Sequence, residues 1–480
     1  MISGAGLVAI LPLLLLAVTP VALMLISTIH RSHRMALGLT LLGLAASFGS
    51  LWIAADVAPQ RVTALLTIDQ YALVYFGMII AATVAVAGLA YGYLEQHAVE
   101  KEEFYILLVT ATLGAAVLAA SSHFVSFFLG LEILSISLYA LNAYIYSRKT
   151  ALEAGIKYLV LAAASAAILL FGMALIYAAV GTMEFGHMAE LMTETAGPNR
   201  TLLLPGLAMV ITGMAFKLAL VPFHMWTPDV YQGAPPPVAA FIATVSKGGI
   251  FALLLRYFYR LELHNYAPVV VVFTIIAIAS MLGGNLLALL QPNVKRILAY
   301  SSIAHMGYVL VAFIASGMLA VEAVTFYLIA YFVTIIGAFG VVTVLSSREY
   351  DAESLEAYRG LFWRRPALAG VMTAMLLSLI GIPVTAGFIG KFYVVAAGAS
   401  SSAWALIIIL VISSSVGAFY YLRVIFALYA GTPEAAERSA EVAPRMAFGS
   451  SVLVVLTLLL VWLGVYPAPL LHVIRAALPG

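Results

Sequence analysis

The 480-residue chain contains no cysteine. Disulfides, thiolate metal sites and cysteine-ligated iron–sulfur clusters are therefore excluded. The sequence also lacks the GxxxxGKS/T and HExxH patterns, and it has no GxGxxG placed after a strand, so it indicates neither a nucleotide site nor a zinc protease. If the chain serves a machine driven by electrons or by a nucleotide, another polypeptide must hold them.

Charge is scarce as well. Only 9% of the residues are charged and 64% are hydrophobic, whereas soluble domains carry about 25% charged residues. A spanning helix needs about 20 apolar residues, which together with short loops gives on the order of 14 spans. The alternating pattern of a membrane β-barrel is absent. The net charge of +2, dispersed among loops, indicates no nucleic-acid partner. We therefore expect an all-α polytopic membrane protein.

Apolar runs predict fourteen spans, two of them interrupted. The predicted spans are 6–29, 36–55, 69–93, 104–121, 123–146, 153–180, 201–221 with 226–232, 237–259, 267–290, 297–315, 319–345, 367–380 with 385–398, 403–430 and 447–474. The first run is not a cleavable signal, because its basic cluster at residues 30–34 follows the run instead of preceding it.

The loops after odd-numbered spans carry most of the basic residues. These are residues 30–34, Lys101, Arg148 with Lys149, Lys295 with Arg296, residues 348–365 and residues 438–445. The opposite loops carry mainly Arg61, Arg200 and Arg260. The positive-inside rule places the first set in the cytoplasm, with both termini in the periplasm.

The two interrupted spans break at Pro222 and at residues 381–383 (Gly-Ile-Pro). The breaks are five spans apart, and an odd number inverts the orientation, which predicts two halves related by a two-fold axis in the membrane plane. Paired discontinuous helices in inverted repeats are typical of transporters. The alternative is two unrelated kinks, since Gly and Pro are common in membrane helices.

Lysines occur deep inside the apolar runs. Residues 213–249 hold Lys217 and Lys247 with Pro222 between them, and Lys391 follows the second break. An intramembrane lysine favours a functional site in a hydrated interior. The alternative is that these lysines lie near helix ends and snorkel to the interface.

Glu132 has no basic residue within ten positions, so inside a membrane it must be protonated or paired. We expect Lys217 on a neighbouring helix to be its partner. Such a pair is bistable, because the lysine holds a proton when Glu132 is close and releases it when Glu132 moves away. The alternative is a static buried ion pair, which would contribute little to stability.

Lys247 and Lys391 have no carboxylate in their own segments and suit a proton relay. His224 and His305 could bridge the lysines through water, or each could simply bond a neighbour. Lys157, one turn into its helix, is a possible site of proton uptake or a snorkelling side chain.

Further polar residues lie beside these candidates. Asp229 could interact with a helix terminus. Tyr300, Ser301 and Ser302 could order water, or cap and pack helices. The charged loop of residues 346–366 is interpreted as a solvated cytoplasmic surface.

The motifs FKLALVPFHMWTPDVYQGAPPPVAAFIATVSKGG, FLGLEILSISLYAL and NVKRILAYSSIAHMGYVL closely resemble the subunit N (ND2-like) family of bacterial NADH–quinone oxidoreductase, respiratory complex I. The resemblance covers essentially the whole chain and extends to the Mrp-type antiporters. Two features favour subunit N. Position 391 is a lysine here, whereas subunit M resembles a protein with glutamate at that place. The chain also stops soon after span fourteen, whereas subunit L resembles a much longer chain.

The resemblance implies two inverted five-helix repeats and a proton path along a hydrophilic axis. The corresponding regions are residues 1–100 for helices 1–3, 101–260 and 261–430 for the repeats, and 431–480 for helix 14. By motif, Glu132, Lys217, Lys247 and Lys391 match the family's relay residues. The resemblance also implies that NADH, FMN, iron–sulfur clusters and quinone belong to partner subunits, with subunits M and K as neighbours in the bacterial inner membrane.

The sequence leaves three functions to compare. The first is a proton-translocating subunit of a NADH dehydrogenase that holds no redox cofactor itself. The second is an Mrp-type Na⁺/H⁺ antiporter, which the composition and the inverted repeats allow equally. The third is a structural spacer whose lysines only hydrate the interior.

Overall fold

The computed structural model describes residues 3–97, 100–193, 200–347, 351–431 and 447–477, and these residues are almost entirely helical. The α-helices in this part of the chain are α1 (Gly4–Ala9), α2 (Leu11–Ile29), α3 (His33–Ala55), α4 (Gln70–His97), α5 (Glu102–Ala120), α6 (Phe124–Asn142), α7 (Lys149–Val180), α8 (Phe185–Thr193), α9 (Arg200–Lys217), α10 (Trp226–Gly233), α11 (Pro236–Phe241), α12 (Lys247–Arg260), α13 (Ala267–Leu289), α14 (Val294–Ala315), α15 (Gly317–Leu345), α16 (Leu361–Arg364), α17 (Pro366–Ile380), α18 (Ala386–Ser400), α19 (Trp404–Tyr429), α20 (Ala447–Val465) and α21 (Ala468–Ala476).

Within the described residues, 12 helical segments are long and apolar enough to cross a membrane. Three shorter apolar helices, Thr201–Lys217, Pro366–Ile380 and Ala386–Ser400, flank the two predicted breaks. A helix lies at every predicted span, with bounds that agree within a few residues. The prediction of an all-helical, polytopic membrane protein is confirmed.

Short elements that the hydropathy pattern does not reveal occur at the ends of the long helices. Strands β1 (Gln60–Arg61) and β2 (Thr67–Ile68) form a small antiparallel hairpin, in which Gln60 pairs with Ile68. Helix α8 follows the left-handed glycine Gly181, which ends α7 at φ +83°. The last predicted span is two helices, because α20 ends before Pro467 and α21 begins after it.

The first break begins earlier than its proline. Helix α9 ends at Lys217, and α10 starts at Trp226. In a continuous helix the ring of Pro222 would clash with the carbonyl of Leu218, which lies four residues earlier. The helix must therefore end before Leu218. Side chains satisfy backbone groups that the break leaves unpaired: Trp226 Nε1 donates to the Phe216 carbonyl at 3.0 Å, and Ser280 Oγ accepts from the Val221 N–H at 3.0 Å.

The second break is where the sequence predicts it, between α17 and α18. Gly381 ends α17 in the left-handed conformation at φ +89°. A third irregularity was not predicted: one π-helical turn, Ile242–Ser246, joins α11 to α12 and ends directly before Lys247. Single π turns are frequent at functional sites.

The centre of the bundle consists of the segment Pro236–Arg260 with α14 and α15. Residues 236–258 of this segment are all buried, and α14 and α15 are buried over most of their length. Helices α2, α3, α7, α19 and α20 lie at the periphery, with most of their apolar surface facing outward. A polar side chain on a central helix is therefore far from water unless other polar groups lead to it.

The basic loops lie at one end of the bundle, which we name the basic end. Arg148 and Lys295 both contact Asp351 there, and Lys101 contacts Glu95 near the end of α4. The predicted basic residues Arg348 and 438–445 lie outside the described residues. The interpretation of residues 346–366 as a solvated surface is wrong in one respect, because the Asp351 side chain is only 9% exposed and the segment is hydrogen bonded to the start of α14.

Candidate functional site

Three lysine side chains enter the bundle where its helices are interrupted. Lys217 is the last residue of α9, Lys247 is the first residue of α12 after the π turn, and Lys391 lies on α18 against the end of α17. These are the predicted candidates, and Lys391 is half-buried with its ammonium hydrogen bonded to the carbonyls at the end of α17. Lys217 is 3% exposed and Lys247 is fully buried.

Lys217 is held by a hydroxyl. Its Nζ donates to Ser135 Oγ on α6 at 2.7 Å and lies 5.5 Å from the centre of the Tyr158 ring. Ser135 donates onward to the Leu131 carbonyl, so it can accept from the ammonium. The cation–π contact between the ammonium and the Tyr158 ring also stabilises the charged lysine, and its contribution is larger here because the ammonium is buried away from water.

Glu132 lies on α6 one turn before Ser135, the residue that accepts a hydrogen bond from the Lys217 ammonium. Lys217 and the hydroxyls of Tyr139 and Tyr158 lie within electrostatic range of this carboxyl group. Even so, Glu132 and Lys217 form no ion pair within 4.0 Å, and Glu132 Oε1 has no hydrogen-bond partner in the described part of the chain. The expected direct pair is thus absent, because Ser135 occupies the ammonium instead.

Lys247 has an equivalent arrangement at the centre of the bundle. Its Nζ donates to Ser302 Oγ on α14 at 2.6 Å, and its ammonium is 6.0 Å from the centre of the Tyr231 ring. Ser302 also accepts a hydrogen bond of 2.6 Å from the Tyr331 hydroxyl. Ser302 therefore joins the central lysine to the hydroxyl of Tyr331.

His305 continues the polar stripe of α14 beyond Ser302. The ring is hydrogen bonded through Nδ1 to the Tyr327 hydroxyl at 2.7 Å and through Nε2 to the Tyr421 hydroxyl at 3.2 Å. Ser301 is hydrogen bonded to the same Tyr421 hydroxyl. Tyr300, the third predicted hydroxyl, packs instead against the apolar core. A small cavity lined by Tyr331 and Ser378, among others, separates His305 from Lys391.

Lys391 closes the second break. Its Nζ donates to the carbonyls of Leu379 and Ile380 at 2.9 and 2.7 Å, and to Ser414 Oγ on α19 at 2.6 Å. The last carbonyls of a helix have no partner within the helix and carry its negative partial charge. The lysine therefore satisfies the end of α17, and the ammonium is stabilised there without a carboxylate.

The partners of the three lysines share one property, which is that all are neutral. Among the described residues, no carboxylate lies within 4.0 Å of the ammonium of Lys217, Lys247 or Lys391. A hydroxyl can accept from an ammonium and can donate to a neutral amine. Ion pairing would fix the charged form, whereas these sites accommodate both protonation states.

The other predicted residues are not joined to this axis by direct hydrogen bonds. His224 is buried in the irregular segment between α9 and α10, and its two ring nitrogens have no hydrogen-bond partner within the described ranges. Lys157 is half-exposed and pairs with Glu153 and Asp229, while Asp229 also pairs with Arg296. Asp229 lies in the first turn of α10, at the helix terminus as predicted.

Sequence reasoning missed a buried ionic cluster at the basic end. Asp351 accepts from Arg148 Nη1 at 2.8 Å, from the Tyr93 hydroxyl at 3.0 Å and from Lys295 Nζ at 3.1 Å. Burial opposes ionisation of this carboxyl, but Lys295 and Arg148 outweigh it and hold its pKa below the usual range. Lys295 follows a loop in the sequence and resembled a surface residue, so hydropathy gave no signal for its burial.

The tyrosines of the axis were missed as well, because tyrosine is common in apolar helices. Tyr158, Tyr231, Tyr327, Tyr331 and Tyr421 surround the lysines and His305. Within the residues that the structure describes, no group of three or more His, Asp or Glu side chains is placed to hold a metal ion. The polar groups along the axis are amines, an imidazole and hydroxyls, each of which can donate or accept a hydrogen bond.

Buried lysines at interrupted helices, joined by hydroxyl and imidazole side chains, define an antiporter-like membrane protein. The family profile described as "NADH:quinone oxidoreductase/Mrp antiporter, TM" matches residues 121–417. The chain is 33% identical to a chain of respiratory complex I from Thermus thermophilus, covering 97% of this chain and 100% of that chain with a TM-score of 0.82. It therefore belongs to the NADH:quinone oxidoreductase/Mrp antiporter transmembrane family.

Two further solved structures are similar. A chain of an archaeal respiratory membrane complex, the membrane-bound sulfane sulfur reductase, is 26% identical, with coverage of 98% and 96% and a TM-score of 0.82. A chain of the Mrp complex from Dietzia sp. DQ12-45-1b is 20% identical, with coverage of 98% and 97% and a TM-score of 0.85, a likeness of fold alone. The chain is thus an antiporter-like subunit of multi-subunit membrane complexes of this kind.

Proposed function

We propose that this chain is the proton-translocating, antiporter-like membrane subunit of a NADH:quinone oxidoreductase. The observation that carries the proposal is that three interior ammonium groups have only neutral partners. A buried lysine that serves stability alone would be paired with a carboxylate, because an unpaired charge in a membrane is costly. The full-length similarity to a complex I chain favours this complex over the others of the family.

The relay starts at Glu132 and Lys217. Energy released by quinone reduction in partner subunits would reach this chain as a changed charge on a neighbour, and would move Glu132 relative to Lys217. When the carboxylate approaches, it stabilises the ammonium; when it withdraws, desolvation favours the neutral amine and the proton leaves. The contact of Lys217 with Ser135 corresponds to the withdrawn arrangement. The proton then passes to Lys247 and Lys391, with His305 between them.

The larger organisation follows the same proposal. Residues 101–260 and 261–430 form two inverted five-helix repeats between residues 1–100 and 431–480, which is supported by a helix break in each repeat. The basic end faces the cytoplasm of a bacterium, and both termini face the periplasm. NADH, FMN, iron–sulfur clusters and quinone belong to partner subunits, and subunits M and K are the proposed neighbours.

Replacing Lys217 by alanine in the assembled complex tests the proposal. We expect proton pumping and quinone reductase turnover to fall, while NADH oxidation with an artificial acceptor stays unchanged. Lys149→Ala is a matched control, since Lys149 is an exposed lysine of the basic end, and it should leave pumping intact. Full pumping stoichiometry in the Lys217 variant would overturn the proposed relay.

The alternative function is Na⁺/H⁺ antiport by an Mrp-type complex. The family profile spans both classes, and the fold matches that of an Mrp chain. Purification decides between them, because an antiporter would work without a NADH-oxidising arm and would show Na⁺-dependent exchange in vesicles. If Glu132, Lys217 and Lys247 variants were all fully active, the lysines would only hydrate a structural spacer.

A further inference from the structure

The ionic cluster at the basic end extends from the surface of the bundle to α14, the helix that also holds the partner of Lys247. Lys295 is fully buried. Its ammonium contacts the Asp351 carboxylate at 3.1 Å on one side and the Ala234 carbonyl at 2.8 Å on the other. Among the described residues, the other charged partner of Asp351 is Arg148, whose side chain is 21% exposed. Asp351 therefore lies between a surface cation and an interior one.

Lys295 and the relay share one face of α14. Lys295 and Ser302, the hydrogen-bond partner of Lys247, are seven residues apart, which is two turns of helix or about 10 Å along the axis. Ala234, which accepts from Lys295, comes three residues after Tyr231, whose ring is 6.0 Å from the Lys247 ammonium. Helix α14 and the end of α10 thus each hold one residue that contacts Lys295 or belongs to it, and one residue that contacts Lys247.

Tyr231 supplies a polar atom in the interval. The side chain is fully buried, and its hydroxyl lies close to Ser302 without forming a well-oriented hydrogen bond in the part of the chain that the structure describes. Buried hydroxyls are nearly always bonded to protein or to ordered water. An unpartnered hydroxyl beside Lys247 is unexplained by fold stability, since phenylalanine would pack equally well without the cost of desolvation.

We propose that Asp351, Lys295 and Tyr231 form the cytoplasmic proton inlet of Lys247. This inference rests on the proposed proton-translocating function and adds the side from which the central lysine is loaded. Arg148 and Tyr93 act as positioning residues that hold the carboxylate over Lys295. Lys157, which the sequence suggested as a site of proton uptake, is half-exposed and pairs with Glu153 and Asp229.

The transfer balances in three steps. The Lys295 ammonium gives one proton, through the Tyr231 hydroxyl and ordered water, to the neutral amine of Lys247, and Lys295 becomes a neutral amine. The Asp351 carboxylate has then lost one of its two counter-charges, so it binds a proton from the cytoplasm. The carboxylic acid passes this proton to the Lys295 amine, which restores the ion pair and prevents the proton from returning.

Tyr231→Phe tests the inlet with little disturbance of the fold, because the hydroxyl forms no well-oriented hydrogen bond among the described residues. In the assembled complex, in inverted membrane vesicles, we expect the rate of proton uptake to fall about tenfold, with a stronger dependence on the pH of the cytoplasmic side. Tyr257→Phe is the matched control: its hydroxyl is also buried and unpartnered, but it lies among the rings of Phe124, Phe185 and Phe258. This control should pump normally.

Asp351 variants separate the inlet from a structural anchor. Asp351→Asn should reduce proton uptake per electron, and Asp351→Glu should restore most of it. If Asp351→Asn only lowered the yield of complex, and Tyr231→Phe pumped at the full rate, the inlet would be wrong. Failure of the proposed function has a different pattern, because Lys217→Ala and Lys247→Ala would then pump fully as well.

Discussion

Gly381 is the position where backbone conformation and the relay depend on each other most directly. It ends α17 in the left-handed conformation at φ +89°, and Lys391 crosses over it to reach the last carbonyls of that helix. A methyl group added at Gly381 would meet Lys391 Cδ at 2.9 Å. We therefore expect Gly381→Ala to weaken the second break and to displace the lysine.

The expected cost has two parts. An alanine in the left-handed region costs about 1–2 kcal/mol relative to glycine. Displacing the Lys391 ammonium removes a hydrogen bond from a charged donor, which is worth about 1.5–3 kcal/mol, from the Leu379 or Ile380 carbonyl. If one of these bonds is lost, the variant should be destabilised by roughly 2.5–5 kcal/mol.

Thermal denaturation of the assembled complex and the number of protons pumped per electron measure these effects. Gly370→Ala is the control on the same helix, because a methyl group there has no atom within 4 Å and the residue is helical. It should be neutral or stabilising by about 0.5–1 kcal/mol. Equal stability and equal pumping in the two variants would refute the interdependence of Gly381 and Lys391.

Three other outcomes follow from described contacts. Glu132→Gln should lower pumping several-fold without changing stability, since Glu132 Oε1 has no partner to lose; pumping assays and denaturation measure both. Asp351→Ala should destabilise the complex by about 3–5 kcal/mol, and Lys295→Met in addition should recover most of it, because the buried lysine is no longer unpaired. In this cysteine-free chain, Glu356→Cys should react with an impermeant thiol reagent only from the cytoplasm, and His472→Cys only from the periplasm.

The ionic cluster also sets a pH range. The pKa of Asp351 is held below its usual value by Lys295 and Arg148 against the effect of burial. Its contribution to stability is therefore present above the unfolded value of about 3.9 and is lost as the pH falls through the folded pKa. Denaturation curves should not change between pH 6 and pH 8 through this group, and Asp351→Asn should remove part of the acid sensitivity.

Hydropathy and proline positions were sufficient to predict the helices and both breaks. Lys217, Lys247 and Lys391 stood out because a charge inside an apolar run has no other explanation than burial or snorkelling. Pro222 predicted the first break. The helix ends earlier, at Lys217, because the ring of Pro222 would clash with the carbonyl four residues before it. Such inferences succeed because each depends on local sequence alone.

The contacts between helices could not be predicted, because they depend on which faces meet. Nothing in the sequence indicates that Ser135, instead of Glu132, holds Lys217, since the two residues are one turn apart on the same helix. Asp351 and Lys295 are separated by 56 positions, and both occur in charged stretches typical of a solvated loop. Their burial appears only when the segment after α15 is seen against the start of α14.

Because the Lys391 ammonium is hydrogen bonded to the end of α17, the conformation of the second break is coupled to the protonation of Lys391. If the proton leaves, the carbonyls of Leu379 and Ile380 keep a weaker donor, and the junction of the two half-helices loosens. By reciprocity, any partner that strains this junction must change the proton affinity of the amine by the same free energy. A displacement of this junction by a neighbouring subunit would then release the proton of Lys391, and release of that proton would displace the junction.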